Sequence, residues 1–475
     1  MKTTPPEIIV TPETITERTV YLAVRDWMAQ RDRYDTLYRY YVGDHDFADI
    51  HDGSNRIVAN FCQYISQAIR GYMVGNEPKY VCSGSDPYGQ EIVDLMHRQT
   101  KKAIDSQIAL DMSIYGKAFE LVFLPRGKTE PDSVVVSPRN AFVAYTGDME
   151  RDSVFGAVVY SYRDDADRTV YRLYMYTRTD AMVWENLTDD SPDAWRVIDG
   201  PTPHGFGRVP LIEYKNDREC LGDFEGVMGL QDAYNSLLSD RQDDKDAFAQ
   251  AMLFIQGSVL GATPDEIDAG TEFLKKHRIL QGDEDTTAQW LIKTMDEAGI
   301  QVLQDQYASD IHKFAMVPDL SDEQFSGNAS GIAMAYKMFG TDQKMAEKVT
   351  QFRKGFIRRV KLYDWRLHNP SNSEGYAPMT DMEGMDILFQ FNAPQDLSYL
   401  ATALSALTGA GIMSKATARM QIAAIPDPAE EAELVRSEAD EDATRNAGAF
   451  EDDFTGSLGR VPAEDDDGDG TELDG

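Results

Sequence analysis

The feature that most constrains the fold is a helix-breaking stretch, Val317 to Gly331, which lies between two long helical patterns. Neither helix can pass through it unbroken, because it contains Pro318, Gly327 and Gly331. It is also rich in turn-forming and capping residues, namely Asp319, Ser321, Asp322 and Asn328. A loop between two long helices, with no set of catalytic residues around it, indicates a mechanical role and not a catalytic one.

Long helical patterns lie on both sides of this loop. Residues 223–256 contain no proline, and as one helix they would extend about 50 Å. Their middle, Ser239–Asp246, is polar on every face, which is typical of a helix that bridges domains or lines a wet space. A second helix is predicted over residues 294–314, and a third, after the loop, over residues 329–368.

The first half of the chain mixes helices and strands. Apolar side chains at helical spacing predict helices over residues 14–41, 57–73 and 90–115. Residues 385–391 predict a strand and residues 395–424 a further helix. Short runs rich in valine, tyrosine and phenylalanine predict antiparallel strands over Ala118–Leu124, Val134–Val136, Gly156–Tyr162, Val170–Thr177, Ala181–Glu185 and Pro210–Tyr214. The predicted fold class is therefore α+β, mainly α.

Charge is the outlier in the composition. The 46 basic and 81 acidic residues give a formal net charge of −35. A protein that grips DNA by its phosphates needs the opposite sign, so the sequence argues against a general nucleic-acid binder. An anionic membrane is an equally poor partner. Residues 1–13 are predicted to be a flexible arm, and residues 446–475 an acidic disordered tail.

The cysteines and the apolar runs exclude further classes. Cys62, Cys82 and Cys220 are far apart and show no zinc-site or disulfide spacing, which suits a reducing compartment. The first residues lack the pattern of a signal peptide. No apolar run approaches the roughly 20 residues of a membrane span.

Catalytic signatures are weak throughout the sequence. Neither Gly-Lys pair, at Gly116 and Gly127, is preceded by the first glycine of a P-loop. The cluster Asp44, His45 and Asp46 offers metal-ligand chemistry, but we favour a polar loop between helices because no second ligand cluster is evident. We therefore expect no enzyme, no metal site and no cofactor.

Two basic clusters stand out in this acidic chain. The first is either an anion-contacting patch or an exposed helix end whose cations offset the helix dipole, and it consists of Lys275, Lys276, His277 and Arg278. The second lies on the third long helix and includes Lys344, Lys348, Arg353, Lys354 and Arg358. For the second we favour salt bridges within the chain, and a surface that faces DNA or a neighbouring subunit is the alternative.

Several short motifs lie in a fixed order between about residue 20 and residue 440. They are Tyr40–His45, Asn55–Phe61, Gly71–Pro78, Pro210–Asn216, Leu221–Asn235, Pro318–Ala333, Gly409–Ala418 and Ile425–Glu431. In this order they resemble the portal proteins of tailed bacteriophages of the SPP1 type. Each motif is short, and their shared order carries the resemblance.

The resemblance implies a ring of subunits, typically twelve, around a channel for double-stranded DNA at one vertex of the capsid. The implied parts are a wing (residues 14–222), paired stem helices (223–256 and 294–316), a clip (257–293), a tunnel loop (317–328), a long wing helix with a return strand (329–394) and a helical crown (395–445). DNA would be packaged and later ejected through the channel.

The resemblance also implies which residues meet which partners. The loop would place in the channel Pro318, Asp319, Ser321, Asp322, Glu323, Gln324, Phe325 and Asn328. The stem would line the channel with Asp240, Arg241, Asp243, Asp244 and Lys245. The clip residues 275–278 would contact the large subunit of the terminase and then the head-tail adaptor. Other implied partners are scaffolding and major capsid proteins, with assembly in the host cytoplasm and no membrane.

Two other classes of protein stay open at this point. One is a metal-dependent hydrolase that uses Asp44, His45 and Asp46. The other is an acidic assembly scaffold without a channel. The order helix, clip, helix, loop, helix in the C-terminal half favours the portal. An acidic channel wall fits it too, because a lumen with low affinity for phosphates lets DNA slide.

Overall fold

The computed structural model describes residues 7–10, 15–46, 55–99, 101–186, 194–249, 252–256, 263–277, 287–291, 297–319, 331–369, 371, 375–392, 397–422, 425 and 431–443. The chain divides into one compact unit up to residue 393 and a second from residue 394. None of the helices in these ranges is both long enough and apolar enough to cross a membrane.

The helices of the first unit are α1 (Glu17–Val42), α2 (Phe61–Val74), α3 (Pro87–Arg98), α4 (Lys102–Tyr115), α5 (Met228–Ala249), α6 (Pro264–His277), α7 (Glu297–Ala315) and α8 (Gly331–His368). A short 3-10 turn, Glu225–Val227, precedes α5. The second unit contains α9 (Leu397–Gly409), α10 (Lys415–Met420) and a helix over residues 431–443, here α11.

The strands are β1 (Ile8–Val10), β2 (Lys79–Cys82), β3 (Lys117–Phe123), β4 (Asp132–Val136), β5 (Ala141–Thr146), β6 (Ser153–Arg163), β7 (Thr169–Tyr176), β8 (Asp180–Asn186), β9 (Trp195–Pro203), β10 (Leu211–Lys215), β11 (Met252–Gln256), β12 (Thr287–Leu291) and β13 (Met385–Leu388). They form a six-stranded sheet, β1-β5-β6-β7-β8-β9, a three-stranded sheet, β10-β3-β4, and the pairs β11-β12 and β13-β2. The pairing is antiparallel except between β1 and β5.

Local capping explains where α1 and α2 begin and end. The Thr16 hydroxyl accepts the backbone N–H of Thr19 at 3.2 Å, and the Thr19 hydroxyl accepts the backbone N–H of Thr16 at 3.4 Å, which closes a capping box. Gly43 ends α1 in a left-handed conformation with φ 91°, which a glycine adopts without steric cost. Asn60 caps α2 by accepting the N–H of Gln63.

Helix α1 contributes to two apolar cores, one along each half of its length. Its first half, around Val20, Val24 and Trp27, packs on the six-stranded sheet. Its second half, around Leu37, joins a larger core that α2, α4 and the middle of α8 share with the three-stranded sheet. Because its buried residues belong to both cores, α1 connects the six-stranded sheet to the helical part of the first unit.

A buried charge network joins α8 to this larger core. The guanidinium of Arg359 is fully buried and lies 2.7 Å from an Asp105 oxygen and 2.9 Å from a Glu120 oxygen. The hydroxyls of Tyr80 and Tyr214 donate to the same two carboxylates. The five side chains of this network therefore stabilise its charges in the interior, where an unpaired charge is strongly unfavourable.

The prediction of one helix over residues 223–256 is wrong at both ends. The chain forms the 3-10 turn before α5, and α5 stops at Ala249. Met252–Gln256 is strand β11, whose register with β12 runs from the pair Met252–Leu291 to the pair Gln256–Thr287. The segment reads MLFIQ, and its apolar and β-branched side chains suit a strand once a partner is available.

Two other predicted helices are divided. The helix predicted over residues 90–115 is split into α3 and α4 between Arg98 and Lys102. The helix predicted over residues 395–424 is split into α9 and α10, and Gly411 adopts φ 70° in the intervening turn. Glycine adopts this conformation readily, so the break follows from the sequence Gly-Ala-Gly. The helix predicted over residues 329–368 is confirmed as α8, and the mixed helix and sheet class is confirmed as well.

Candidate functional site: the stem and its anchor

The candidate site is built from α5 and α7, the helices that correspond to the predicted stem. They pack side by side, and Arg241 of α5 binds α7 at three points, donating to Glu297 at 2.9 Å, Gln301 at 3.0 Å and Gln304 at 2.8 Å. One turn further along, the Lys245 ammonium lies 3.8 Å from the Glu297 carboxylate. Two of the five residues that were predicted to line a channel thus connect the two helices.

An extended segment, residues 55–61, lies along α5 and is here called the strap. Backbone N–H groups of alternate strap residues donate to side chains spaced one helical turn apart on α5. The four bonds are Asn55 to Asp243 at 3.0 Å, Ile57 to Ser239 at 3.0 Å, Ala59 to Asn235 at 3.0 Å and Phe61 to Gln231 at 2.9 Å. We call this set of bonds the ladder.

The ladder follows from the repeats of the two kinds of backbone. Side chains four residues apart on a helix are separated by roughly 6 Å along its axis. Alternate residues of an extended chain are separated by roughly 6.5 Å. The two repeats are close enough to stay in register over four bonds. Gln231, Asn235 and Ser239 are fully buried, so the strap satisfies polar groups that would otherwise destabilise the interface.

His45 supports the ladder by binding the side chain of Asn235. Its Nδ1 accepts a hydrogen bond from the Asn235 amide at 2.8 Å, and its Nε2–H donates to the carbonyl of Tyr40 at 2.9 Å. The ring also stacks on Tyr40, with centroids 4.7 Å apart. These partners fix a neutral imidazole that is 1% exposed, and both ring nitrogens are in use.

The neighbouring carboxylates are engaged as well, which decides against the proposed metal cluster. Asp44 and Asp46 both accept hydrogen bonds from Arg39, at 2.7 and 2.9 Å. No group of three or more His, Cys, Asp or Glu side chains converges on a metal position anywhere in the described ranges. The hydrolase alternative therefore has no site among Asp44, His45 and Asp46.

A polar junction, here called the anchor, lies where the chain enters the stem. Asp223 is fully buried, and its carboxylate lies 2.6 Å from the Lys348 ammonium and 3.1 Å from the Lys344 ammonium. The amide of Asn216 donates to it at 3.0 Å. Burial alone would raise the pKa of Asp223, but Lys348 and Lys344 outweigh that effect and hold the pKa well below its usual range.

The anchor also holds the end of the second stem helix. Lys344 donates to the carbonyl of Ala315 at 3.0 Å, and the Thr341 hydroxyl donates to the carbonyl of Met316 at 2.7 Å. Carbonyls at a helix C-terminus lack partners within the helix, and a cation there also interacts favourably with the helix dipole. The start of α5 and the end of α7 are therefore both bound to α8.

The first residues of the predicted tunnel loop are also bound to the body. His312 donates through Nδ1 to the carbonyl of Val317 at 3.1 Å, and the Tyr64 hydroxyl donates to the carbonyl of Pro318 at 3.4 Å. Pro318 and Asp319 are half-buried. The other predicted loop residues lie outside the described residues, namely Ser321, Asp322, Glu323, Gln324, Phe325 and Asn328.

The remaining predicted stem and clip residues are placed as follows. Asp243 binds the strap, Asp240 is exposed and Asp244 is half-buried. Lys275 and His277 lie in α6, Lys276 is exposed there, and Arg278 falls outside the described residues.

The basic run on α8 is used largely within the subunit. Lys344 and Lys348 form the anchor, and Lys348 is 1% exposed, so it cannot face DNA as the alternative interpretation required. Arg353 pairs with Asp386 at 2.9 Å. Lys354 and Arg358 donate to neutral side chains rather than to carboxylates. The interpretation as salt bridges within the acidic chain thus holds for the first three residues.

The most important residues that sequence reasoning missed are those of the ladder and the anchor. Gln231, Asn235, Ser239 and Asp243 recur at every fourth position, which indicated a polar stripe on α5 but not its partner. Asp223 carried no local signal, because its two lysine partners are more than 120 residues away.

Comparison with known families identifies the class of protein first. The family model described as "Phage portal protein, SPP1 Gp6-like" matches residues 24–445, so this is a bacteriophage structural protein of the portal type. The match spans far more than half of the chain. The chain belongs to the SPP1 portal family, which confirms the resemblance seen in the short motifs.

Two individual proteins are similar to this chain. The portal protein of Bacillus phage SPP1 is 25% identical to this chain over 337 residues, which cover 68% of this chain. The chain matches 65% of the length of that relative. A solved structure described as the neck of an empty GTA particle computed with C6 symmetry has a TM-score of 0.46 and 11% identity, covering 75% of this chain and 88% of its own.

Proposed function

We propose that this chain is the repeating subunit of a phage portal, a ring at one capsid vertex through which double-stranded DNA is packaged and ejected. The observation that carries the proposal is the family match over residues 24–445. The arm formed by α5, α7 and the β11–α6–β12 module supports it, because a ring-lining element must be rigidly joined to its subunit. The ladder and the anchor supply that joint.

The proposed division of labour follows the element order. Residues 14–222 and 329–394 form the wing, α5 and α7 the stem, residues 257–293 the clip, residues 317–328 the tunnel loop and residues 395–445 the crown. The ladder and α7 take up two faces of α5, so the exposed Asp240, with Asp244 one turn further along, marks the side that we assign to the channel. Carboxylates on this side would repel phosphates and let the duplex slide.

The proposed partners follow from the same role. Further copies of the chain form a ring, which we expect to contain twelve subunits, and DNA passes through it. The clip contacts the large terminase subunit during packaging and a head-tail adaptor afterwards, and scaffolding and major capsid proteins surround the ring. We place the assembled protein at the portal vertex of the virion, after assembly in the host cytoplasm.

Electron microscopy of the purified full chain tests the proposal. We expect rings with a central hole, and twelve subunits by single-particle mass. The chain is to be examined both alone and after co-expression with the phage scaffolding protein, because a portal can require a partner to close its ring. Particles without a central hole under both conditions would contradict the channel and leave the acidic scaffold as the better explanation.

A further inference from the structure

A cavity of about 490 Å³ lies in the first unit, beside the C-terminal third of α8. The turn between β5 and β6, the turn between β7 and β8 and the segment before β10 form its other walls. Its lining is strongly basic and includes Arg151, Arg178, Arg208, Arg358 and Lys361. Five cationic side chains from four separate segments therefore meet in one place, in a chain whose formal net charge is −35.

The positive charge of this cavity is only partly matched by carboxylates. Arg178 donates to the carbonyl of Gly207, and Arg358 donates to the Ser153 hydroxyl, so both guanidinium groups bind neutral acceptors. Arg208 and Lys361 form no hydrogen bond or ion pair with any side chain in the described ranges. Arg151, Arg178 and Arg208 are exposed, and Arg358 and Lys361 are half-buried. By contrast, three fully buried cations pair with carboxylates: Lys101 with Asp132, Lys117 with Glu213 and Arg359 with Asp105 and Glu120.

Two acidic residues also line the cavity, Glu150 and Asp152. Neither forms an ion pair with the basic lining residues in the described part of the chain. Arg151 is paired outside the lining, with Glu7 at 3.5 Å. Against the five cations stand the two lining carboxylates and Glu7, which leaves an excess of two positive charges around a space that is large enough for a small anion.

The turn that carries Arg151 has a strained backbone. Arg151 adopts φ 52°, a left-handed conformation that side chains other than glycine rarely take. Asp148 stabilises the turn by accepting the backbone N–H of Arg151 at 3.0 Å. The turn therefore fixes the backbone of Arg151 at the edge of the cavity.

We propose that this basic cavity binds a phosphoryl group. The planar forks of several arginines and a lysine ammonium suit a tetrahedral, multiply charged anion, which accepts hydrogen bonds in several directions. A single carboxylate offers two acceptor oxygens in one plane and would leave most of these donors unused. The phosphoryl group comes either from a free anion such as pyrophosphate or from a phosphodiester of DNA. The proposal does not depend on ring assembly.

Calorimetric titration of the purified full chain with pyrophosphate tests the first source. The test variant is Arg208→Ala/Lys361→Ala, which removes the two cations that have no side-chain partner among the described residues, and its fold is checked by circular dichroism. The control is Arg126→Ala/Lys128→Ala, which removes one arginine and one lysine from the exposed turn between β3 and β4. At constant ionic strength we expect the test variant to bind at least tenfold more weakly, and the control variant to bind like the parent chain.

Fluorescence anisotropy with a labelled 12-base-pair duplex tests the second source on the same proteins. Binding of the duplex that is lost in the test variant alone supports the DNA phosphodiester as ligand, even if pyrophosphate does not bind. The proposal is overturned if neither probe binds, or if the test and control variants lose affinity equally. If neither phosphoryl probe binds, an acidic peptide with the sequence of residues 464–474 is to be titrated, and its binding would identify the cavity as a carboxylate site instead.

Discussion

Asp223→Asn tests the anchor most directly. The substitution keeps the size of the side chain and removes the charge that two lysines share. Lys344 is 21% exposed and can turn towards water once the carboxylate is lost. Lys348 is 1% exposed and remains buried, with its ammonium next to a neutral amide.

The expected cost is large because one charge of a buried pair is left alone. Removing one partner of such a pair typically lowers the free energy of unfolding by about 3–5 kcal/mol. The double variant Asp223→Asn/Lys348→Met removes both buried charges, so we expect it to lose less than the single variant. An exposed pair provides the control, because Asp386→Asn breaks the contact with Arg353 and should cost less than about 1 kcal/mol.

The loss in free energy of unfolding caused by Asp223→Asn must also depend on pH, and the direction of this dependence can be predicted. The pKa of Asp223 is depressed in the folded chain, so its charge stabilises the fold at any pH above the unfolded pKa. This contribution is lost as the pH falls from about 4 towards the folded value. The difference between the parent chain and Asp223→Asn should therefore be constant from pH 5 to pH 8 and should shrink below pH 4.

Urea unfolding followed by far-ultraviolet circular dichroism measures these differences. Samples are to be kept at protein concentrations where the chain is monomeric, so that assembly does not add to the apparent stability. The reasoning is refuted if Asp223→Asn loses no more than Asp386→Asn at pH 7. It is refuted as well if the double variant is less stable than the single one, or if the loss persists unchanged at pH 3.

Three further predictions use the same assay. Asn235→Ala removes one ladder bond, from the Ala59 N–H, together with the hydrogen bonds to Gln231 and His45, and should lower the free energy of unfolding by about 2–3 kcal/mol. Gln242→Ala on the same helix should be nearly neutral. Gly355→Ala would place a Cβ 2.3 Å from the Tyr214 ring and should cost about 1–3 kcal/mol; a neutral result would show that the ring can move aside. Burial raises the pKa of Asp111 to about 7, so folding takes up a proton between pH 4 and pH 7 and stability falls as the pH rises through that range. Asp111→Asn should remove this fall, and an unchanged pH profile would contradict the assignment.

The elements that could be predicted from sequence are those with a strong local pattern. The helix α8 was predicted to within two residues, because thirty-eight residues of helical periodicity begin at Gly331 and end two residues before Pro370. The strands β6, β7, β8 and β10 were predicted from valine- and tyrosine-rich runs bounded by turns. In these cases local propensity and tertiary packing favour the same structure.

The predictions from sequence fail where pairing between distant segments decides the secondary structure. Met252–Gln256 fits both a helix and a strand by its apolar pattern, and its partner Thr287–Leu291 lies more than thirty residues away. The strands β5 and β9 were not predicted at all. For Ala141–Thr146 the reason is physical: all six residues are buried, so the alternation that marks a half-exposed strand is absent.

The candidate site, too, could be predicted only in part from the sequence. The polar middle of α5 was correctly recognised as unusual, and water was the natural partner to infer from a sequence. The structure instead places the strap against one face, since backbone N–H groups of residues 55–61 satisfy side chains that water would otherwise reach. A polar stripe on a helix has the same sequence signature whether its partner is solvent or another backbone.

The anchor connects the proposed function to the fold. Asp223 precedes the first stem helix, Ala315 ends the second, and both bind lysines of α8. Moving the stem relative to α8 would separate a buried carboxylate from Lys348, which by the estimate above costs several kcal/mol. We therefore expect α5, α7 and α8 to move as one body.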